Sequence, residues 1–194
     1  MTTEFFRGIY GAGDVLDKRL ASWTFSNHRP TAHYYAIHPL DALGQVENPR
    51  IVVATLDCKN FFQNTPTDPF LELGEVEAKL GRTEALRIAR KFKEWIANTN
   101  LWEDMTVSEF AQYPNHTIDQ WLDRYPDRLE ELYFQAYPFY DDPEEVTKLI
   151  AAGFDGAAYG GNAASMYTTE WRVFAKETIK IVRVEQIIPQ EETK

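Results

Sequence analysis

At 194 residues the chain has the length of a single domain and can bury a substantial hydrophobic core. Its formal net charge of −10 disfavours a nucleic-acid binder that works by electrostatics alone, because neutralising phosphates requires a basic face. The single cysteine excludes an internal disulfide, and no apolar run approaches the roughly 20 residues of a membrane helix, so the sequence predicts a soluble, cytoplasmic protein without a membrane partner.

The first predicted strand covers residues 3–10 and contains Arg7 followed directly by Gly8. An arginine supplies a rigid fork of hydrogen-bond donors, and a glycine lets a ligand approach the backbone closely. A binding role for this pair competes with a plainer interpretation, in which Arg7 is a surface arginine before a turn.

The second predicted strand, residues 22–26, alternates hydroxyl and aromatic side chains, so Thr24 and Ser26 are expected on its polar face. A short helix follows over residues 27–36, with Pro30 in its first turn and either Ser26 or the asparagine after it as the cap.

Three histidines lie in or near this helix, at His28, His33 and His38. His28 and His33 are five residues apart, so they do not share a helix face well, and no cysteine or acid completes a ligand set. The sequence therefore predicts no metal site.

A β-branched run over residues 49–57 predicts a central strand. Cys58, which follows it, is expected to be a buried structural thiol rather than a nucleophile.

The middle of the chain is predicted to be helical. From Thr83 onward the apolar positions follow helical spacing, and capping-box patterns occur at residues 106–109 and 117–120. We therefore predict one domain over residues 1–194 with an ordered helical insertion at about 71–140.

Aromatic side chains are dense in this insertion. They could form a stacking surface for nucleic-acid bases, but few Lys or Arg residues accompany them, so core packing is the favoured interpretation. A further helix is predicted to begin at the capping residue Asp142, with Pro143 in its first turn, and to run to Ala152.

The last predicted elements are strands at residues 171–174 and 179–184. Gly160 and Gly161 precede them and predict a sharp turn or a close approach of the backbone. Glu170 lies where the loop enters the first of these strands. There it can point into a cleft, or it can be a solvated glutamate like most others.

Strands at both ends of the chain and helices between them predict an α+β fold. The sequence contains no glycine-rich phosphate loop of the dinucleotide-binding or Walker type and no Gly-x-Ser-x-Gly nucleophile elbow.

The order of these motifs resembles the ADP-ribosyltransferase fold. The matching residues are Arg7-Gly8 on a first strand, 23–26 on a second, 32–36 on the next helix and Glu170 on a late strand. The stretch from residue 153 to residue 181 is similar to small bacterial and phage-associated members of this fold. The resemblance covers both ends of the chain but not its helical middle.

The resemblance implies two small packed sheets with a cleft between them that binds NAD. In the arginine–serine–glutamate branch of the family, it implies that Arg7 contacts the phosphate or ribose part of NAD and that the backbone of Gly8 holds the nicotinamide amide. Thr24 or Ser26 would shape the nicotinamide pocket. A histidine–tyrosine–glutamate arrangement fits worse, because Arg7 stands at the histidine position, although Tyr35 could still stack on the nicotinamide.

The same resemblance makes Glu170 the catalytic residue, hydrogen-bonded to the 2′-hydroxyl of the nicotinamide ribose. Cleavage of the bond to nicotinamide develops positive charge on the sugar, which a nearby carboxylate stabilises. Because nicotinamide leaves from a cationic precursor, this chemistry needs no metal. Thr168 stands where arginine-modifying members carry a second glutamate, which speaks against arginine as the acceptor.

Three functions remain open at this point. The first is an ADP-ribosyltransferase that modifies a protein or nucleic acid, as a toxin or phage-conflict effector would. The second is an NAD glycohydrolase of the same fold, in which water is the acceptor. The third is an acidic binding or inhibitor module without catalysis. The sequence identifies neither the acceptor nor the oligomeric state.

Overall fold

The computed structural model describes residues 3–17, 21–38, 46–96, 118–161, 165 and 167–188. It has a large mixed sheet, a small second sheet and several helices, which confirms the predicted α+β class. The chain divides into two compact units, of which the first combines Met1–Pro69 with Tyr140–Lys194 and the second is Phe70–Phe139. The second unit thus covers nearly the same residues as the predicted insertion.

In the described part of the chain most strands lie towards the two ends, and most helices lie between them. In chain order the elements are β1 (Phe5–Ile9), β2 (Trp23–Ser26), α1 (Arg29–Ile37), β3 (Arg50–Leu56), β4 (Phe61–Thr65), β5 (Phe70–Glu72), α2 (Leu73–Leu80), α3 (Arg82–Lys91), α4 (Ile118–Arg124), β6 (Tyr133–Gln135), α5 (Ala136–Asp141), α6 (Pro143–Ala151), β7 (Gly156–Gly160), β8 (Thr169–Val173) and β9 (Ile179–Gln186). None of the helices in the described ranges is long and apolar enough to cross a membrane.

The first unit contains one hydrogen-bonded sheet, so the expectation of two small packed sheets is wrong. In the described part of the chain this sheet has seven strands in the order β4-β7-β8-β2-β1-β3-β9. The link between β1 and β2 is a single paired position, Phe6 with Ser26, whereas β1 pairs with β3 from Phe5 to Ile9. This one pair joins two groups of strands that are otherwise paired internally.

The two faces of the sheet are covered in different ways. On one face Phe5, Trp23, Phe25 and Val173 belong to a buried hydrophobic cluster. Helix α1 packs on the other face, where its Ala32 meets Ile51 and Val53. Burial of apolar side chains on both faces of β1 and β3 stabilises this half of the sheet.

Gly8 is required by the packing of α1 on β1. A Cβ atom at this position would lie 2.0 Å from the carbonyl oxygen of Ala32 and 2.7 Å from the nitrogen of Ala36. Both obstacles are backbone atoms of the helix, so a larger residue would force the helix away from the strand.

The second unit combines helices α2, α3 and α4 with the two-stranded β5–β6 sheet, so it is not wholly helical. Its aromatic side chains include a cluster in which Phe92 stacks on Phe134 at 5.2 Å and meets Phe139 edge-on at 5.8 Å. Phe134 and Phe139 are fully buried, which is the behaviour expected of core packing. The capping-box pattern at residues 106–109 lies outside the described residues.

Helix α6 begins at the predicted cap. The Oδ1 atom of Asp142 accepts hydrogen bonds from the backbone N–H groups of Glu144 at 2.9 Å and Glu145 at 3.2 Å, and Pro143 occupies the first turn. The cap satisfies two donors that a helix start otherwise leaves unpaired. Four residues separate the end of this helix from β7, the strand that lies beside Glu170.

We expect Asp142→Ala to lower the free energy of unfolding by about 1 kcal/mol, because two helix N–H groups lose their acceptor. For a chain of this size the melting temperature should fall by about 2–4 °C, measured by circular dichroism. Asp142→Asn is the matched control, since asparagine also caps helices and should stay close to the wild type. Equal melting temperatures for the Ala and Asn variants would contradict the role of the cap.

Candidate active site

Glu170 lies in the middle of the sheet between two paired neighbours. On β8 it is directly opposite Ser26 of β2 on one side and Tyr159 of β7 on the other. Directly paired residues of antiparallel strands point to the same face, so the three side chains project together. Glu170 is only 7% exposed, which excludes the interpretation of a solvated glutamate.

Both carboxylate oxygens of Glu170 accept hydrogen bonds from hydroxyl groups. The Tyr159 hydroxyl donates to Oε2 at 3.0 Å, and the Ser165 hydroxyl makes a short hydrogen bond to Oε1. Hydrogen bonds of this kind offset the cost of removing a carboxylate from water. They also restrict rotation of the carboxylate about its last side-chain bond.

Tyr35 of α1 reaches the same place from the helix side. It forms a side-chain hydrogen bond with Ser165. Burial raises the pKa of Tyr35, and the negative charge of Glu170 adds to this effect, whereas the hydrogen bond with Ser165 opposes it. Tyr35 is therefore a neutral phenol at neutral pH, close to the carboxylate.

A second layer of polar groups continues from Tyr159. Its hydroxyl accepts from Nε of Arg172 at 2.9 Å, and Nη1 of Arg172 donates to Oδ1 of Asp141 at 2.5 Å. Burial by itself would lower the pKa of Arg172. The neighbouring groups Tyr159, Asp141 and Glu170 outweigh this effect, so the pKa is raised overall. Burial is also the main cause of the raised pKa of Tyr159, which keeps its proton at neutral pH.

The loop before β8 is folded around Ser165. The N–H of Gly161 donates to the carbonyl of Thr168 at 2.7 Å, and a Cβ atom at Gly161 would lie 2.2 Å from the carbonyl oxygen of Ser165. The Thr168 hydroxyl donates to that same carbonyl at 2.6 Å. Glycine at 161 therefore allows the close turn that brings Ser165 against Glu170. Tyr167, in the same loop, has a positive φ of 68° and is 98% exposed.

Arg7 does not contact the carboxylate of Glu170. Strand alternation directs its side chain away from the face of Gly8 and Ser26, and Nη1 donates to the carbonyl of Thr24 at 3.1 Å. Its Nε atom is buried without a hydrogen-bond partner, as is Nε of Arg50. Burial first, and then the charge of Arg172, lower the pKa of Arg7 to about 10 against the opposing effect of Asp17. Arg7 is still a cation at neutral pH, and its Nε donor is buried without a hydrogen-bond partner.

The two predicted hydroxyl residues of β2 have different surroundings. Ser26 is buried, and its Oγ atom accepts from the backbone N–H of His28 at 3.0 Å, so it holds the start of α1. Thr24 is paired with Arg172, and its carbonyl is the acceptor of Arg7. Ser26 thus shares the sheet face of Glu170, whereas Thr24 is the register partner of Arg172 and accepts from Arg7 through its backbone.

Sequence reasoning missed four residues of this site: Tyr159, Ser165, Arg172 and Asp141. The sequence did contain a signal for Arg172. Glu170 and Arg172 are two residues apart on β8 and alternate with the apolar Trp171 and Val173, so a strand places the glutamate and the arginine on the same face. The partnership of Tyr159 with Glu170 depends on the register of β7 and β8, which the sequence does not display.

Cys58 is half-buried, and its thiol donates to the carbonyl of Asp155 at 3.7 Å. Burial is the main cause that raises the pKa of the thiol to about 11. A thiol of this pKa is almost entirely protonated at neutral pH and is a poor nucleophile. The structure therefore agrees with the expectation of a structural thiol.

We expect Cys58 to react slowly with a disulfide reagent such as 5,5′-dithiobis(2-nitrobenzoate) at pH 8. Compared with a free thiol, its thiolate fraction is about 200-fold lower and its intrinsic nucleophilicity about tenfold higher, so the net rate should be about 20-fold lower. The rate should keep rising with pH towards the pKa of about 11. The chain unfolded in guanidinium is the control, and a native rate equal to the unfolded rate would contradict the shift.

The chain was compared with protein-family models, with curated proteins and with solved structures. None of the three comparisons found a match. The basis for a function is therefore the chemistry of the contacts around Glu170 and Arg7.

Proposed function

We propose that this chain is an NAD-dependent ADP-ribosyltransferase that transfers ADP-ribose from NAD to a macromolecular acceptor, a protein or a nucleic acid. In this proposal the chain acts as a toxin or a phage-conflict effector. The observation that carries the proposal is the buried Glu170 carboxylate, which hydroxyl groups hold on the sheet face shared by Ser26 and Tyr35.

The geometry around Glu170 suits the stabilisation of a cationic sugar. When the bond between nicotinamide and ribose breaks, positive charge develops on the ribose ring. A carboxylate that is already oriented interacts more strongly with this charge than with the neutral sugar, and it lowers the barrier without reorganising. Each carboxylate oxygen has a second lone pair, so Glu170 can accept from the ribose 2′-hydroxyl while keeping its bonds to Tyr159 and Ser165.

The residues proposed to hold NAD fit it to different degrees. Guanidinium groups match phosphate oxygens closely, but Arg7 points to the sheet face opposite Glu170 and its Nε is buried, so a contact with the phosphate or ribose part of NAD requires a rearrangement that exposes this donor. At Gly8 the space of a side chain is filled by α1, so helix packing already accounts for the glycine, and a contact of its backbone with the nicotinamide amide stays a prediction. Ser26 shares the sheet face of the carboxylate and Tyr35 is influenced by its charge, so these two could line a nicotinamide pocket, and Thr24 would act through its contact with Arg7.

The position two residues before Glu170 bears on the acceptor. Thr168 occupies it, and its hydroxyl is bonded within the loop to the Ser165 carbonyl. No second carboxylate therefore stands there to activate a weakly nucleophilic guanidinium. We expect an acceptor that carries its own nucleophile, or water, in which case the chain is an NAD glycohydrolase.

A non-catalytic binding module is the competing proposal, and one observation favours it. Two hydrogen bonds from Tyr159 and Ser165 are also what a purely structural buried glutamate needs. Incubation with labelled NAD and cell lysate separates the three proposals. Label on protein or nucleic acid supports the transferase, free ADP-ribose without an acceptor supports the glycohydrolase, and failure to bind NAD supports the binding module.

Glu170→Gln should reduce the turnover of NAD several-hundred-fold, because the amide keeps the shape of the side chain but loses the charge that stabilises the cationic sugar. The affinity for NAD should change little. Release of nicotinamide under single-turnover conditions measures the loss. Glu145→Gln is the control, since Glu145 is also buried but lies on α6. Turnover at the wild-type rate in the Glu170 variant would refute the catalytic assignment.

Arg7→Ala should raise the KM for NAD about tenfold or more with a smaller effect on kcat, because a hydrogen bond to a charged group is lost from ground-state binding. Arg7→Lys should restore binding only in part, since an ammonium group replaces a planar fork. Arg50→Ala is the matched control, because Arg50 also donates to a backbone carbonyl and also has a buried Nε without a partner. Unchanged NAD affinity of Arg7→Ala in titration calorimetry would remove Arg7 from the binding site.

A further inference from the structure

The hydrogen bonds behind Glu170 run in one direction. Arginine has donors but no acceptor, so the contact between Arg172 Nε and the Tyr159 hydroxyl at 2.9 Å uses a lone pair of the phenol oxygen. The phenol then has one proton left to donate, and Oε2 of Glu170 lies 3.0 Å away. The hydrogen bond at the other end of this series has a fixed direction too, because the Asp141 carboxylate can only accept from Arg172.

We propose that Tyr159 is a positioning residue for Glu170, oriented as a hydrogen-bond donor by Arg172 and Asp141. This inference rests on the proposed function, because it assigns Tyr159 a role in the same reaction. Tyr159 does not touch the reacting atoms. It fixes the direction in which the carboxylate presents its remaining lone pairs.

The surroundings of Tyr159 make it a stiff support. Its ring is 1% exposed and stacks on the ring of Tyr140 at 5.3 Å with an interplanar angle of 19°. Burial keeps the phenol protonated, so the donor is present throughout the neutral pH range. A carboxylate that is held from both sides, by Tyr159 and by Ser165, need not reorient when charge develops on the substrate.

A merely structural bond between Tyr159 and Glu170 predicts a different result from a positioning bond. Loss of a structural bond lowers the stability of the fold and leaves the rate of the folded enzyme unchanged. Loss of a positioning bond lowers kcat in enzyme that is fully folded and still binds NAD. The ratio of the effects on kcat and KM therefore separates the two roles.

The chain supplies a matched pair of variants for this test. Tyr140 and Tyr159 are both fully buried, they stack on each other, and each donates its hydroxyl proton to a side-chain oxygen, which for Tyr140 is Oε1 of Gln63 at 3.0 Å. Tyr159→Phe and Tyr140→Phe thus remove one hydroxyl each and keep the stacked rings. Only Tyr159→Phe removes a contact with Glu170.

We expect Tyr159→Phe to lower kcat for nicotinamide release about tenfold or more, with KM for NAD within about twofold of the wild type. Tyr140→Phe should have a kcat close to that of the wild type, even if both variants melt at lower temperature. Equal kcat values for the two variants, with an inactive Glu170→Gln, would overturn the positioning role alone. If wild-type protein releases no nicotinamide from NAD, the proposed function fails, and the role of Tyr159 fails with it.

A second variant decides the matter should Tyr159→Phe fail to fold. The side chain of Asp141 is 57% exposed, so Asp141→Asn leaves the core intact while it weakens the anchor of Arg172. We expect kcat to fall about threefold or more with KM unchanged, because Arg172 then orients the phenol less strictly. An unchanged kcat in folded Asp141→Asn would overturn the inference.

Discussion

The first unit depends on one electrostatic requirement, which is that the carboxylate of Glu170 must be satisfied inside the sheet. A buried carboxylate without partners would cost several kcal/mol or would take up a proton. Three parts of the fold meet this requirement, since β7 supplies Tyr159, the loop before β8 supplies Ser165, and α1 brings Tyr35 to the serine. The tight turn at Gly161 serves the same end, because it sets the position of Ser165.

The two residues of the Arg7-Gly8 pair belong to opposite faces of the sheet and meet different constraints. Gly8 is fixed by the backbone of α1, which leaves no room for a side chain. Arg7 is fixed by the carbonyl of Thr24 and lies near a second buried cation, Arg172. Two neighbouring guanidinium groups repel each other, and Asp141 offsets the charge of Arg172 directly. For Arg7 the compensation is weaker, because the charge of Asp17 opposes only part of the lowering of its pKa by burial and by Arg172.

The sequence was sufficient for features that depend on local chemistry. The α+β class followed from the order of strand and helix patterns, and the cap at Asp142 followed from the preference of carboxylates for helix N-termini. Burial of Glu170 did not follow, because a glutamate at the start of a strand is exposed or buried according to its distant partners. The hydroxyls of Tyr159 and Ser165 became its partners only through a strand register and a loop turn. The single sheet was missed for a similar reason, since one pair, Phe6 with Ser26, joins two groups of strands that local patterns cannot connect.

The buried cluster is not explained by stability alone. Replacing a buried ionic network by well-packed apolar residues is often neutral or stabilising, so the stability of the sheet is not a sufficient reason for Glu170, Arg172 and Tyr159 at these positions. Apolar residues at these positions could join the two neighbouring strands equally well through the same backbone hydrogen bonds. The cluster instead holds the carboxylate charge of Glu170 in a fixed orientation. Arg172 donates to the Tyr159 hydroxyl, and this hydroxyl donates to the carboxylate. Such preorganisation contributes little to stability, whereas it lowers the barrier of a reaction that develops positive charge beside the carboxylate.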